Sequence, residues 1–508
     1  MTATSTQATA ETADICLLLE GTWPYVRGGV SSWVHQMLLG LPEIRFAVVF
    51  IGGERSSYPQ RHYSLPANVV HFEEVFIAES WQREGRSERV AVKGDFEALE
   101  KLYRCFHHPD QPDPELGQRL LQQLVDGDIT RSQALYSEAS WQVLSQGYVE
   151  HCSDPSFIDF FWTLRAMQPP VLMLADLARR LPRARAVHAI STGYAGMLGA
   201  LLKTAWQCDF ILSEHGIYTK ERKIDLAQAA WVAESDSGGL GAGLDARGGY
   251  IRALWIRFFE RAGLLAYQNA DPIISLYEGN RARQIKDGAP AKLTQVIPNG
   301  IAVDRWQPVR DQRAPGIARV AGLIGRVVPI KDVKTFLRAA RSVLAVIPDF
   351  EAWIVGPEEE DPVYAQECHS LVSSLGLTAH VRFLGFRDIR EVMPQLGVMV
   401  LTSISEAQPL VILEAWCAGT PVVSTDVGSC RDMIVGGDAE DQALGHAGEI
   451  VPIADPQATA RAIQRLLLNP ERWAAAQQAG LQRVTRYYTD ELMFARYRAL
   501  YRTATGER

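Results

Sequence analysis

Short apolar runs, many of them β-branched, alternate along this chain with stretches whose apolar residues recur every three or four positions. That rhythm is the one a parallel sheet flanked by helices produces. Asp14–Glu20 (DICLLLE) reads as a first buried strand, followed by the loop Gly21–Gly29 and a helix from about Val30 to Leu41. Phe46–Ile51, Ala186–Ala189, Phe210–Ser213, Pro272–Leu276 and Thr294–Ile297 supply further strands. Between about Ile77 and Leu181 the strand signals vanish. Runs such as DFEALEKLYRCF and ELGQRLLQQLV have helical period there, which predicts a helical insertion. Residues 303–318, polar and with two prolines, have the composition of an interdomain linker. The rhythm then restarts, with strands expected at Val320–Ile324, Ala352–Val355, Val381–Leu384, Val398–Leu401 and Pro421–Ser424, and helical structure throughout Pro456–Thr503.

At 508 residues the chain exceeds what one hydrophobic core supports. The expected α/β architecture is two Rossmann-like βα domains facing a cleft, residues 14–302 with the insertion at about 77–181, and residues 319–480. A frayed tail (1–13) precedes them, and a C-terminal helix (481–508) follows, free to pack back on the first domain. Ligands of open α/β sheets bind beyond the carboxyl ends of the strands, so those ends are where chemistry is expected.

Charge and cysteine usage narrow the field. With 51 basic against 59 acidic residues, the net charge of −8 disfavours nucleic acid as a partner. The first residues lack the basic start and apolar core of a signal peptide, and no apolar run approaches the ~20 residues that span a bilayer. Seven scattered cysteines without a CxxC pair read as reduced thiols in a cytosolic protein, with neither a disulfide frame nor a zinc site.

The chemistry concentrates in a few loops. Glu406 and Glu414 flank a strand-to-helix turn, with Pro409 expected at the first position of a helix running to about Ala418. Five residues of helix rise ~7.5 Å, so two carboxylates could meet hydroxyls on separate parts of one extended ligand, with the helix start favouring an anion between them. The plainer reading is two solvated helix carboxylates. Gly325-Arg326 and Lys331-Asp332 sit at another such turn, as a diphosphate clamp or as a solvated basic turn. The loop Asp426–Cys430 could present backbone N–H groups or be a simple turn. In the first domain Gly28 and Gly29 open a helix and allow close ligand approach. His215 ends a strand, as a ligand contact or a satisfied core histidine, and His188 reads as structural. The glycine run Ser237–Gly243 reads as a lid or tether, and Asn299-Gly300 as a turn into the linker.

Taken together, Glu406-x7-Glu414, Gly325-Arg326-x4-Lys331, the I-P-N-G turn at Ile297–Gly300 and Gly28-Gly29 resemble the retaining GT-B glycosyltransferases of family 4. The segments ADICLLLEGTWPYVRGGVSSWVHQ and SEHGIYTKER, with the helical insertion, are similar more narrowly to the glycosyltransferases of Pel exopolysaccharide synthesis. The resemblance implies a UDP-sugar donor and transfer of a hexose or N-acetylhexosamine to a growing polysaccharide acceptor, with retention and no metal or other cofactor. Glu406 would bind donor-sugar hydroxyls and Glu414 the ribose. Arg326 and Lys331 would neutralise the diphosphate, and His215 would hydrogen-bond the sugar. Gly28, Gly29, Gly325, Ala407, Gln408, Pro409 and Leu410 would complete the donor site. Inner-membrane Pel synthase proteins would be partners, placing the chain in the cytoplasm or peripherally at that membrane. Ala407 stands where many relatives carry glycine, Pro409 offers no N–H, and Gly428-Ser429-Cys430 replaces a commoner double glycine. A nucleotide-sugar epimerase of the same shape and a non-catalytic UDP-sugar sensor are the alternative readings.

Overall fold

The computed structural model describes residues 13–81, 94–109, 112–152, 156–228 and 244–506. The expected tail and the glycine run Ser237–Gly243 fall outside the described residues, except that Ala13 already belongs to the first strand. The chain divides into two compact units, one of residues 1–275, 281–296 and 497–508, the other of residues 276–280 and 297–496.

The first unit is built on seven parallel strands: β1 (Ala13–Glu20), β2 (Phe46–Gly52), β3 (Val69–Phe76), β4 (Ala184–Ala189), β5 (Asp209–Glu214), β6 (Ile273–Ser275) and β7 (Thr294–Val296), in the order β3-β2-β1-β4-β5-β6-β7. β2 is buried along its whole length, whereas β3 lies at the sheet edge with half-exposed positions. That explains why β3 was not expected from sequence: an edge strand tolerates His71, Glu73 and Glu74 and so lacks the apolar run of a central strand. The described residues between β3 and β4 contain no strand. They form helices Phe96–His107, Pro114–Asp126, Arg131–Tyr136, Glu138–His151 and Phe157–Arg180. Each helix starts where a side chain meets its orphan N–H groups, with Asp95, Asp113, Thr130, Ser137 and Ser156 as the caps.

The second unit carries six parallel strands: β8 (Val320–Ile324), β9 (Glu351–Val355), β10 (Val381–Gly385), β11 (Val398–Leu401), β12 (Val422–Thr425) and β13 (Gly448–Val451), in the order β10-β9-β8-β11-β12-β13. β13 was not expected either. It is four residues long and contains Glu449, whose carboxylate is held by Arg465 at 2.8 Å and Arg472 at 2.5 Å.

One expectation about the connection between the units needs correction. Residues 303–318 are not a free linker. Val303–Trp306 is a 3₁₀ turn and Gln307–Asp311 a short helix, with Trp306 and Val309 buried in the second unit's core. Arg310 and Arg313 fix the segment by donating to the carbonyls of Cys417 (2.8 Å) and Leu396 (2.7 Å). A polar composition therefore hid two apolar anchors. Pro456–Thr503 is helical, as expected, in three pieces: Pro456–Leu467, Pro470–Tyr487 and Asp490–Ala504, because Asn469 caps a new start at Pro470 and the chain extends again at Thr489. The final turns pack in the first unit, where Tyr501 meets His188 at 2.8 Å and Arg498 meets Glu43 at 2.6 Å.

Candidate functional site

In the second unit the loops after β8 and β11 are tied to each other by hydrogen bonds. The fully buried Thr402 hydroxyl lies 3.0 Å from the carbonyl oxygens of both Lys331 and Asp332, and the Ile404 N–H donates to Ile330 O at 2.9 Å. Asp332 takes a left-handed conformation (φ 43°) and caps helix Val333–Leu344, which turns the chain sharply at this point. The outcome is that Lys331 Nζ reaches Glu406 Oε1 at 2.5 Å, with both side chains largely shielded from water. Gly325, at φ 156°, leaves room for this. A Cβ there would touch the Lys331 stem at 3.5 Å.

The third loop joins them. Gly428 adopts φ 54°, and an added Cβ would lie 2.3 Å from Glu406 O and 2.5 Å from Ala407 O, while the Ser429 N–H donates to Ala407 O at 2.8 Å. Glycine is therefore required at 428 by both backbone conformation and crowding. The loop that looked weakest in sequence is the one that buttresses Glu406.

Other expected residues are placed differently. Pro409 is not the first helical residue. At ψ 117° it is the extended cap of helix Leu410–Cys417. Glu414 lies inside that helix, half-buried, and burial pushes its carboxyl up to about 7, with Arg390 pulling the other way. Gln408 is committed to the chain itself: its Oε1 accepts from the Asn299 N–H at 2.6 Å and its carbonyl from Asn299 Nδ2 at 3.3 Å. The I-P-N-G turn and Gln408 thus form one structural unit. Ala407 and Leu410 are partly exposed beside them. Arg326 pairs with Glu360 at 2.5 Å, both about half exposed, and the structure gives it no bond to Glu406. Thr402, Arg390 and Glu360 were not singled out in sequence. The acidic run Glu358–Asp361 was the available signal for the last of them.

In the first unit Gly28 caps helix Gly29–Gly40 in extended backbone. Both glycines are exposed, and a Cβ on either would meet nothing within 4 Å. His188 is structural, its two ring nitrogens each 2.8 Å from a hydroxyl, of Tyr501 and of Ser213. His215 differs. It is 8% exposed, packed edge-on against Trp33 with ring centroids 4.5 Å apart, and burial lowers its pKa to about 4. Its ring is therefore neutral near pH 7, and its Nε2 has no hydrogen-bond partner among the described residues. No helix among the described residues is long and apolar enough to cross a membrane.

With this geometry in place, known proteins give it a context. Residues 13–292, more than half of the chain, match a family model described as Domain of unknown function (DUF3492). The chain belongs to that family. Outside the DUF3492 region, residues 318–469 match the model for Glycosyl transferases group 1. Among similar curated proteins are the D-inositol 3-phosphate glycosyltransferase of Corynebacterium urealyticum (29% identity, 40% of this chain and 49% of that protein) and the lipopolysaccharide core biosynthesis glycosyltransferase LpsE of Rhizobium meliloti (30%, 40% and 55%). The chain spans about half the length of the curated relatives it matches. Among solved structures, Anabaena Alr3699/HepE in complex with UDP is similar at TM-score 0.57 and 15% identity, covering 96% of this chain and all (100%) of that one. Sucrose-phosphate synthase from Thermosynechococcus elongatus is similar at TM-score 0.56 and 16% identity, covering 97% and 100%. At such identities the likeness concerns fold. The DUF3492 protein has the GT-B fold of two Rossmann-like α/β units.

Proposed function

We propose that this chain is a retaining glycosyltransferase that moves a hexose or N-acetylhexosamine from a UDP-sugar onto a growing exopolysaccharide, with the Pel polymer as the product class. The observation that carries the reading is the shielded Lys331–Glu406 pair at the ends of β8 and β11, with Glu414 one helix turn into the element that follows. A shielded ion pair is poor evidence of stabilisation, because desolvation offsets most of its attraction. It is well suited to binding: a diphosphate takes over the ammonium, and sugar hydroxyls donate to the freed carboxylate.

In the proposed reaction the bond from the sugar's anomeric carbon to the diphosphate breaks and a bond to the acceptor oxygen forms on the same face. The acceptor proton goes to the departing phosphate, so no protein base is needed. Lys331 and Arg326 carry the leaving-group charge. Glu414 accepts from the ribose, and Gly28 and Gly29 offer backbone N–H groups. His215, neutral and with an unspent Nε2, suits a hydrogen bond to a sugar hydroxyl and not proton abstraction. The group 1 match over residues 318–469 supports the reaction class, and the UDP in the HepE complex makes UDP the first nucleotide to test. Metal independence, a cytoplasmic location and hand-over to an inner-membrane Pel synthase belong to the same proposal.

The test is UDP release by the purified full chain with UDP-glucose, UDP-N-acetylglucosamine, UDP-galactose and UDP-N-acetylgalactosamine, with and without polysaccharide acceptor and with EDTA present. Acceptor-dependent release from one or two donors is expected. An epimerised donor without transfer would replace the proposal with the epimerase reading, and binding without turnover with the sensor reading.

A further inference from the structure

The aim of a neutral imidazole is ordinarily set by a hydrogen bond to the ring nitrogen that does not face the ligand. His215 is held otherwise. Among the described residues its Nε2 has no partner, and its lowered pKa has burial as its cause, with no hydrogen bond contributing. Its backbone is fixed all the same, because successive side chains at the end of β5 point to opposite faces. Glu214, buried on one face, accepts from Thr192 Oγ1 at 2.9 Å, Tyr267 Oη at 2.5 Å and Gln284 Nε2 at 3.0 Å. Ser213 and His215 share the other face. What remains free at His215 is the rotation of its ring.

That rotation is limited by Trp33, on helix Gly29–Gly40, whose ring lies at 70° to the imidazole. The edge-to-face arrangement is one that aromatic quadrupoles favour. Trp33 is itself held by packing, since it is buried and its Nε1 has no hydrogen-bond partner among the described residues. It meets in turn Tyr497 of the last helix, with ring centroids 5.4 Å apart. Tyr497 is anchored through its hydroxyl, 3.2 Å from Ser213 Oγ. Ser213 Oγ lies 2.8 Å from His188 Nε2, and His188 Nδ1 lies 2.8 Å from Tyr501 Oη. A neutral imidazole donates at one nitrogen and accepts at the other, so this buried chain of hydrogen bonds runs in a single direction and ties down both tyrosines.

We infer that Trp33 is the positioning residue of His215, and that the end of the chain sets Trp33 through the ring of Tyr497. The last helix then serves the first unit's site without contacting a ligand. The effect on turnover rests on the proposed contact between His215 and the donor sugar; the packing relay does not.

Two measurements on the full chain test this. The first is a double-mutant cycle on donor-dependent UDP release. Trp33→Leu and Tyr497→Leu should each lower kcat about tenfold with the KM for donor within about twofold, because misaiming a group costs more in the transition state than in binding. Added to His215→Ala, neither should cost more than about twofold further, since nothing is left to aim. Tyr497→Phe keeps the ring and should recover most of the rate. Should Trp33→Leu not fold, Trp33→Phe goes through the same cycle. Losses that multiply in the His215→Ala background would overturn the inference. The second measurement needs no substrate. It follows the Cε1–H resonances of the chain labelled with carbon-13 histidine, that of His215 being identified by its loss in His215→Ala. Tyr497 makes no ring contact with His215 among the described residues, so Tyr497→Leu should move that resonance only through Trp33, and Tyr497→Phe should leave it in place. An unmoved resonance in Tyr497→Leu would overturn the inference whatever the turnover. If the wild-type chain releases UDP from no donor, the transferase reading falls and this second measurement alone decides.

Discussion

The strand-end loops of the two units present their polar groups in opposite states. In the second unit nearly every candidate is already engaged: Lys331 with Glu406, Arg326 with Glu360, Gln408 with Asn299. In the first unit the candidates are unspent, with open space around Gly28 and Gly29 and no partner for His215 Nε2 among the described residues. A self-paired site keeps its charges satisfied when empty, and a ligand must exchange for an internal partner. An unpaired site pays its desolvation in advance, which is tolerable for a neutral histidine and would not be for a lysine. The difference teaches how each unit's polar groups are kept when empty: the charged ones balanced by an internal partner, the neutral ones left open.

The sharpest way to break this comparison is to remove the cation. Lys331→Ala leaves Glu406 shielded and unpaired and removes the proposed leaving-group contact. It should cost roughly two to three decades in kcat while circular dichroism stays native. Near-normal turnover would show that the pair is structural only.

The next effect tests how the pair is held. Thr402→Val removes the hydroxyl that ties Lys331 and Asp332 to the end of β11. A lost buried hydrogen bond of ~1–2 kcal/mol corresponds to about a tenfold loss in kcat/KM. Thr402→Ser should restore most of it, which separates the hydroxyl from the packing of the methyl group.

Glu414 sharpens the comparison through pH. Burial raises its carboxyl from 4.5 to about 7 in the folded chain. The folded state therefore holds a proton that the unfolded chain has released, so this group's contribution to stability is full below pH 4.5 and is lost as pH rises through about 7. Glu414→Gln should flatten that part of the thermal melting profile. If the charged form receives the ribose, the variant should also lose the gain in donor affinity between pH 6 and pH 8. An unchanged melting profile would place the carboxyl in water.

The smallest effect lies at the exposed pair. Glu360→Gln frees Arg326, and because exposed ion pairs contribute ~0–1 kcal/mol, the KM for donor should fall by no more than about fivefold. A rise in KM would mean that Glu360 positions Arg326 and does not compete for it.

Much of this was legible in the sequence. The central strands announced themselves through uninterrupted apolar runs, as in Phe46–Gly52, and the helical insertion through its helical period. Polar interruptions hid β3 and β13, whose edge positions accommodate them, and the prolines of residues 303–318 masked Trp306 as an anchor. At the site, spacing placed Glu406 and Lys331 on neighbouring strand ends. It could not show that they touch, because that depends on Thr402 and Gly428, whose roles arise from contacts 70 and 22 residues away along the chain. Nor could it tell that Gln408 is spent on Asn299, since a glutamine beside a ligand loop and one bracing a turn look alike in one dimension.

Titration calorimetry of the purified chain with the UDP-sugar that supports turnover addresses the donor site most directly. Saturable binding that EDTA does not alter, and that Lys331→Ala and Glu406→Ala each abolish with the fold intact, is the expected result. Binding of unchanged affinity in both variants would contradict the assignment of the second unit's Lys331–Glu406 pair as the place where the donor sits.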